Sequence, residues 1–426
     1  MQELNIFLVT VGGLTLVLSL IAGLMQNKAY LPSEPMAAVA LGILIGPAGM
    51  GFARLTTWGA PLPIIEQAAR LTVGLAVMAA ALRLPRGYFQ NHARSMSVVL
   101  LPGMIGMWLV SSGLVYVLLS VPFTVAFLIG AIITPTDPVL AGTIVMGHTA
   151  QRSIPAPIRN LLTGESGAND GLAYPFVFLP ILLFEHVPER AFLNWIVETL
   201  LWEVGAAVVI GAAAGALAGW IEQVSHEYHY LEESSLLSVT VALTFTVLGG
   251  VKLVGSNGIL AAFAAGLLFN RLSNAGDEAD EQKVQETVLR LFTFPIFVIF
   301  GIVLPVDQWI ALGWAGVVLP AGVLLVRRLP MVGVFRTSVP AISDDYDALF
   351  AGWFGPIGIA ALFYATVAHR IIGEEIIWSA ATLVVTSSIL VHGVTATLFT
   401  KLYGRIVDPN RIQTPDDDRQ SSLDEH

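Results

Sequence analysis

The chain has 426 residues, of which 55% are hydrophobic and only 12% charged, against about 25% charged in soluble domains, and a deficit spread along the whole length excludes a soluble globular protein. The net charge of −10, with the acids gathered in loops and tail, excludes a basic footprint for nucleic acid. With no cysteine, disulfides, thiol chemistry and Cys-ligated metal sites are also excluded.

Met1 to Asn5 carry no basic residue ahead of the first apolar run. That run ends in Gln26-Asn27-Lys28 rather than a small-residue cleavage site, which predicts a first helix and not a cleaved signal. Runs of about 20 apolar residues are long enough to cross a bilayer. Thirteen are predicted, at roughly 5–25, 34–51, 63–83, 96–120, 122–147, 155–184, 192–221, 233–252, 256–270, 286–305, 308–328, 346–368 and 377–402. Residues 1–405 thus form an all-α polytopic membrane domain, and residues 406–426 an acidic tail too poor in apolar residues to fold alone. The lysines and arginines set the expected orientation. With the N-terminus outside and the C-terminus inside, sixteen of the 21 fall on the cytoplasmic side; only Arg54, Arg70, Arg190, Lys252 and Arg370 fall outside.

Spans five and twelve are interrupted by proline at membrane depth, in Thr134-Pro135-Thr136-Asp137-Pro138 and Phe354-Gly355-Pro356-Ile357-Gly358. Proline removes a backbone donor and strains a helix. Non-helical backbone is tolerated at that depth only where protein or a water-filled cavity covers it. The two breaks lie seven spans apart, so their helices run in opposite directions. Spans 1–6 and 8–13 then correspond as inverted repeats with span seven as linker, and binding is expected where the broken helices meet. The alternative is a pair of ordinary proline kinks.

Span six carries Gly164-Glu165-Ser166-Gly167-Ala168-Asn169-Asp170-Gly171. A charge at bilayer centre costs about 2.5–3.5 kcal/mol even on lenient scales, so acids there are functional candidates. At 100° per residue Glu165 and Asn169 share one face. Asp170 shares another with Ser166, expected to look toward broken span five. A buried glutamate needs a partner, and Arg327 at the inner end of span eleven is the expected one, in a structural ion pair; Arg328 is expected to be a flanking positive charge. Asp170 has no evident permanent countercharge. A proton or a small cation can neutralise it, and competition between them with alternating access suffices for exchange. Ser166, Thr136, Asp137 and freed carbonyls are hard oxygen donors suited to Na⁺. Alternatively Asp170 is a buried structural acid, and Asp137 only caps the half-helix beginning at Pro138.

These motifs, with Leu325-Val326-Arg327-Arg328-Leu329 and Gly352-Trp353-Phe354-Gly355-Pro356, resemble the monovalent cation/proton antiporter family in order and spacing over nearly all of 1–405. The likeness is to its prokaryotic NhaP-type branch, related to animal sodium/proton exchangers. It implies thirteen helices with two broken and crossing, a dimer domain and a mobile six-helix core, a homodimer in the cell inner membrane, and elevator-like alternating access. It implies that Asp170 carries the ion, that Asn169 supports it, and that Glu165 pairs with Arg327. It implies Na⁺ or another monovalent cation and H⁺ as cargo, no cofactor, and, from the Asn-Asp pair, electroneutral one-for-one exchange; a K⁺/H⁺ antiporter of the same fold is the alternative. Two departures stand out. Many relatives have an acid in mid span three, where Val77 to Leu82 is apolar, and an arginine in the second break, where Ile357 stands.

Two other classes fit parts of the chain. Gly164-Glu165-Ser166-Gly167 matches the signature of intramembrane serine proteases, with His392 as the conceivable base, but thirteen spans and two breaks have no role there. A passive cation channel would use the same polar residues. His226 and His229, in the loop after span seven, are candidates for a pH sensor or a metal clip, or simply a solvated loop. Asp277 to Glu286 and Asp344 to Asp347 are acidic patches that either gather cations or solvate helix ends.

Overall fold

The computed structural model describes residues 2–27, 33–228, 233–273, 278–407 and 411. The acidic tail from 412 onward, His229, and the side chains of His226 and of 277–284 lie outside them. Every regular element among the described residues is helical. Seven helices are long and apolar enough to cross a membrane, and six shorter apolar helices accompany them. Together they coincide with the thirteen predicted spans. Two of the short ones, Phe123–Ile132 and Ile359–Ile372, are halves of spans five and twelve; their other halves are Pro138–Val145 and Asp345–Trp353.

The helices pack in two groups. Spans one to three and eight to ten form one, with the C-terminal part of span seven (Ala207–Glu227) laid along span nine (Gly258–Leu272). Spans four to six and eleven to thirteen form the other, with the two broken helices inside it. Span three (Pro61–Arg83) packs on spans six and twelve and so joins the groups.

Between apolar helices in lipid no hydrophobic force acts, so close backbone approach through small residues decides the packing. Span seven supplies Gly211 and Gly215, one turn apart, and a Cβ at either would collide with the backbone of Ala261 or Ala265 on span nine. Gly42 and Gly301 do the same where spans two and ten cross. The first half of span seven, Trp195–Ala206, is a π-helix of 12 residues, a form that is rare and mostly confined to single turns near functional sites.

Asp344 and Asp347 are a structural knot rather than a free acidic patch. Asp347 is fully buried and accepts from the Ser343 backbone N–H (2.9 Å) and hydroxyl (2.8 Å) and from the Tyr403 hydroxyl (2.6 Å). Arg411 bridges Asp344 at 3.0 Å and Asp347 at 2.7 Å, fastening the start of the tail to the N-terminal half of span twelve.

Gly215→Ala is expected to lower the thermal midpoint of the detergent-solubilised protein, with a loss of about 1–3 kcal/mol as for other overpacked sites. Gly249→Ala, where an added Cβ meets nothing within 4 Å, should stay within about 0.5 kcal/mol of the parent. Equal midpoints for the two variants would refute the close crossing.

Candidate ion-binding site

The two breaks cross and hydrogen-bond to one another. The Asp137 backbone N–H donates to the Pro356 carbonyl at 2.8 Å. The Asp137 carboxylate then serves two helix ends at once. Its Oδ1 accepts from the N–H groups of Val139 (2.8 Å) and Leu140 (2.9 Å), at the start of the C-terminal half of span five. Its Oδ2 accepts from the Ile359 N–H, at the start of the C-terminal half of span twelve. Of the two readings of Asp137, the alternative one, a cap for the half-helix after Pro138, is what these bonds describe, and a second half-helix is capped with it. Both carboxylate oxygens are thereby given to backbone donors, where the sequence had offered Asp137 as an oxygen donor to an ion.

The opposite pair of helix ends meets Arg327. This fully buried guanidinium donates to the carbonyls of Ile133 (3.0 Å) and Thr134 (2.5 Å), where the N-terminal half of span five ends, and to Gly355 (2.5 Å), where the N-terminal half of span twelve ends. Arg327 therefore does not pair with Glu165 as the sequence led us to expect. Glu165 pairs with Arg328, whose Nη1 and Nη2 donate to the two carboxylate oxygens, the second at 2.7 Å. Arg328 Nε also donates to the Ala351 carbonyl at 2.9 Å. The reason is rotational: adjacent residues point about 100° apart on a helix, and where span eleven ends one arginine is turned to the crossing while its neighbour is turned to span six. The charge missing at Ile357 is thus supplied from another helix. Ile357 is fully buried, and its N–H donates to the Ser388 hydroxyl at 2.7 Å.

The glycines of the second break follow from these two side chains. A Cβ at Gly355 would collide with Arg328, and one at Gly358 with the Asp137 carboxylate.

On span six, Ala156–Leu172, every residue from Leu161 to Gly171 is buried. Its glycines bring it close to the other group: a Cβ at Gly167 would press on Phe263 and Ala80, and one at Gly171 on the Leu260 backbone. Mid span three faces the octet through Ala80, an apolar wall where an acid was found missing.

The hydrogen bond from the octet to span five is made by Asn169. Asn169 Nδ2 donates to the Thr136 hydroxyl oxygen at 2.6 Å. Ser166 donates to the Thr163 carbonyl in its own helix at 3.3 Å. Asp170 is buried completely, and neither of its carboxylate oxygens has a hydrogen-bond partner; Asn169 Oδ1 has none either. Asp137 lies close enough for its charge to act on Asp170. The Tyr364 hydroxyl covers Asp170 from span twelve by donating to its backbone carbonyl at 2.5 Å. Three buried acceptor oxygens on two adjacent residues therefore have no donor among the described residues, and a buried acceptor without a donor invites a proton or a cation.

Tyr364 and Asn257 were not singled out from sequence, and Arg328 was expected only to flank the membrane. Asn257 had a readable signal: Ser256-Asn257-Gly258 before an apolar run is a helix start, and its Oδ1 accepts from Ile259 and Leu260 N–H at 3.1 and 3.2 Å. Tyr364 had none, since a tyrosine in an apolar half-helix reads as core. The protease alternative finds no geometry: His392 contacts Ser388 at 3.1 Å and the Trp353 carbonyl at 3.0 Å, not Ser166.

Residues 15–402 match the transmembrane region of the sodium/hydrogen exchanger family. A probable Na⁺/H⁺ antiporter of Schizosaccharomyces pombe is 34% identical over 91% of this chain and 55% of its own length. A Na⁺/H⁺ antiporter of Saccharomyces cerevisiae is 32% identical over 84% of this chain and 37% of its own. The chain thus spans about half or less of these two relatives. Both are fungal, where the motifs had pointed to a prokaryotic branch. The prokaryotic likeness holds for the fold: the structure of a sodium proton antiporter from Methanocaldococcus jannaschii superposes with a TM-score of 0.73 at 19% identity, covering 95% of this chain and 98% of that one.

Removing one partner of a buried ion pair costs about 3–5 kcal/mol. Glu165→Gln and Arg328→Gln should each lower stability by an amount of that order, and the double variant should cost clearly less than the sum of the two. A thermal-unfolding double-mutant cycle reads this. Strong coupling of Glu165 to Arg327 and none to Arg328 would overturn the pairing.

Proposed function

We propose that this chain, which belongs to the sodium/hydrogen exchanger family, exchanges a monovalent cation for H⁺ across a membrane, with Na⁺ as the expected cation and both species competing for Asp170. One observation carries this: the Asp170 carboxylate is wholly buried at the crossing of two broken helices with both oxygens unpartnered. A buried unpaired carboxylate is stable only when neutralised. A proton does this by forming a covalent O–H; a small cation does it by accepting oxygen ligands. Asn169 Oδ1 is the second available oxygen, with the hydroxyl oxygens of Thr136 and Ser166 as further hard donors. No cofactor enters this scheme.

The charge count favours electroneutral exchange. Asp137 is held by three backbone N–H groups of the two half-helices, and Arg327 by three carbonyls. Asn169 is neutral. Asp170 is then the one carboxylate whose charge the cargo must balance, so one proton leaves for each monovalent cation that binds. The second helix group moves against the first to expose Asp170 alternately to the two faces. We assign the N-terminus to the outside, the basic loops and tail to the cytoplasm of a cell whose inner membrane holds the protein, spans 1–6 and 8–13 to inverted repeats around span seven, and the assembly to a homodimer. The lysine and arginine bias, the opposed breaks and the likeness to exchangers support these assignments.

Asp170→Asn should abolish exchange while leaving the protein folded and inserted, because the titrating charge is gone. Proteoliposomes with an entrapped pH dye and an imposed cation gradient test it, scanning Na⁺, Li⁺ and K⁺; normal exchange by this variant would sink the mechanism. In the parent, clamping the voltage with valinomycin and K⁺ should leave the Na⁺-driven rate unchanged. Acceleration by the clamp would refute one-for-one exchange.

A further inference from the structure

The contacts between the two helix groups differ at the two faces of the membrane. On the face where Arg70, Lys252 and Arg370 lie, polar groups tie span six to the other elements just beyond Asp170. Asn257 Nδ2 donates to the Gly171 carbonyl at 3.0 Å, one residue past Asp170. The Tyr174 hydroxyl donates to Glu203 Oε1 at 2.8 Å. Glu203 is joined in turn to the start of span nine: its backbone carbonyl accepts from the Asn257 N–H (3.0 Å) and the Ser256 hydroxyl (2.9 Å), and the Trp202 carbonyl accepts from the same hydroxyl at 3.1 Å. These carbonyls belong to the π-helical stretch of span seven. Tyr174 also meets the ring of Tyr364, the residue that covers Asp170, edge-on at 6.5 Å. Beyond this seal lies a cavity of about 310 Å³, bordered by Glu66, Arg70, Tyr174, Glu203, Lys252 and Arg370.

The other face has the reverse arrangement. A cavity of about 260 Å³ opens between the groups there and reaches Pro138, next to Asp137. Ser33 Oγ, Arg83 Nε and Thr293 Oγ1 line it without hydrogen-bond partners. Among the described residues on its walls, none makes a hydrogen bond or ion pair from one helix group to the other.

We infer that Tyr174, Glu203 and Asn257 form a latch that holds the Asp170 helix against the first helix group and closes the ion site to the face bearing Arg70, Lys252 and Arg370. It rests on the exchange function proposed above, since only a site that must open to both faces needs a seal that breaks. Asn257 and Tyr174 are positioning residues here, not ligands of the cargo. When the site turns to that face, both hydrogen bonds must part, as must the Glu66–Arg370 ion pair (3.0 and 3.1 Å) that joins span three to span twelve at the cavity rim, and the carboxylate of Glu203 is left at the floor of the cavity through which a cation would arrive.

The chain contains no cysteine, so a single introduced thiol reports one position without background. Ala173→Cys places it in a fully buried position between Gly171 and Tyr174; Val367→Cys, on the cavity wall, is the second reporter should the first fail to fold. Thr143→Cys reports the opposite cavity. Each reporter is combined with Tyr174→Phe, which removes only the hydroxyl, or with Asn257→Asp, which keeps the helix cap and replaces the donor to Gly171 by a carboxylate oxygen that repels its carbonyl. A membrane-impermeant maleimide is applied from one face at a time to reconstituted protein. Both latch variants should speed labelling severalfold at Ala173→Cys from the Glu203 face and slow it at Thr143→Cys from the other. The apparent KM for Na⁺ from the Glu203 face should fall by the same factor, because affinity scales with the fraction of protein open to that side. Unchanged labelling at both reporters in both variants would overturn the latch. Labelling does not require transport, so exchange that survives Asp170→Asn removes the proposed function whatever the labelling shows.

Discussion

The structure depends on how four interrupted helix ends are neutralised inside a membrane. Each helix end carries roughly half an elementary charge, positive at the N-terminus and negative at the C-terminus. Two broken helices that cross bring two N-terminal and two C-terminal ends together, with no water to screen them. Two N-terminal ends amount to about one positive charge, and the carboxylate of Asp137 sits on both. Two C-terminal ends amount to about one negative charge, and the guanidinium of Arg327 sits on both. The freed backbone groups thus find partners, as a bilayer requires. Neither charged side chain needs a further countercharge.

The second break is built around these side chains. Gly355 and Gly358, on either side of Pro356-Ile357, stand where Arg328 and the Asp137 carboxylate fill the space of a Cβ. Arg328 extends the same arrangement, with one nitrogen on the N-terminal half of span twelve at Ala351 and two on Glu165 of span six. The ion pair therefore joins the Asp170 helix to the crossing, and Asn169 joins it a second time through Thr136. Asp170 itself takes part in none of these bonds through its side chain.

Much of this was legible from residue types and spacing, for definite reasons. Long apolar runs and proline at membrane depth are one-dimensional signals, so the thirteen spans and the two breaks could be read directly. The octet was legible because acids in an apolar span are costly enough to demand a cause. What could not be read was direction around a helix axis beyond a short segment. Arg327 and Arg328 are adjacent and chemically alike; only the rotation of span eleven against span six decides which one meets Glu165. The same limit hid that the hydrogen bond from the octet to span five comes from Asn169, through Thr136. Ile357 marked a missing charge, but a pattern within one helix cannot say that another helix supplies it.

These placements give the two buried aspartates opposite roles. Asp137 accepts three backbone hydrogen bonds from helices on both sides of the crossing, so neutralising it would leave two helix N-termini uncompensated. A proton or cation that bound there would have to break the crossing to leave. Asp170 has a fixed backbone, held through its carbonyl by Tyr364, and a carboxylate with no fixed partner. Under the exchange proposed above, it changes its neutralising species without altering any hydrogen bond that holds the two breaks together. A site proposed to load and unload repeatedly needs this separation between the charge that holds the fold and the charge that would meet the cargo.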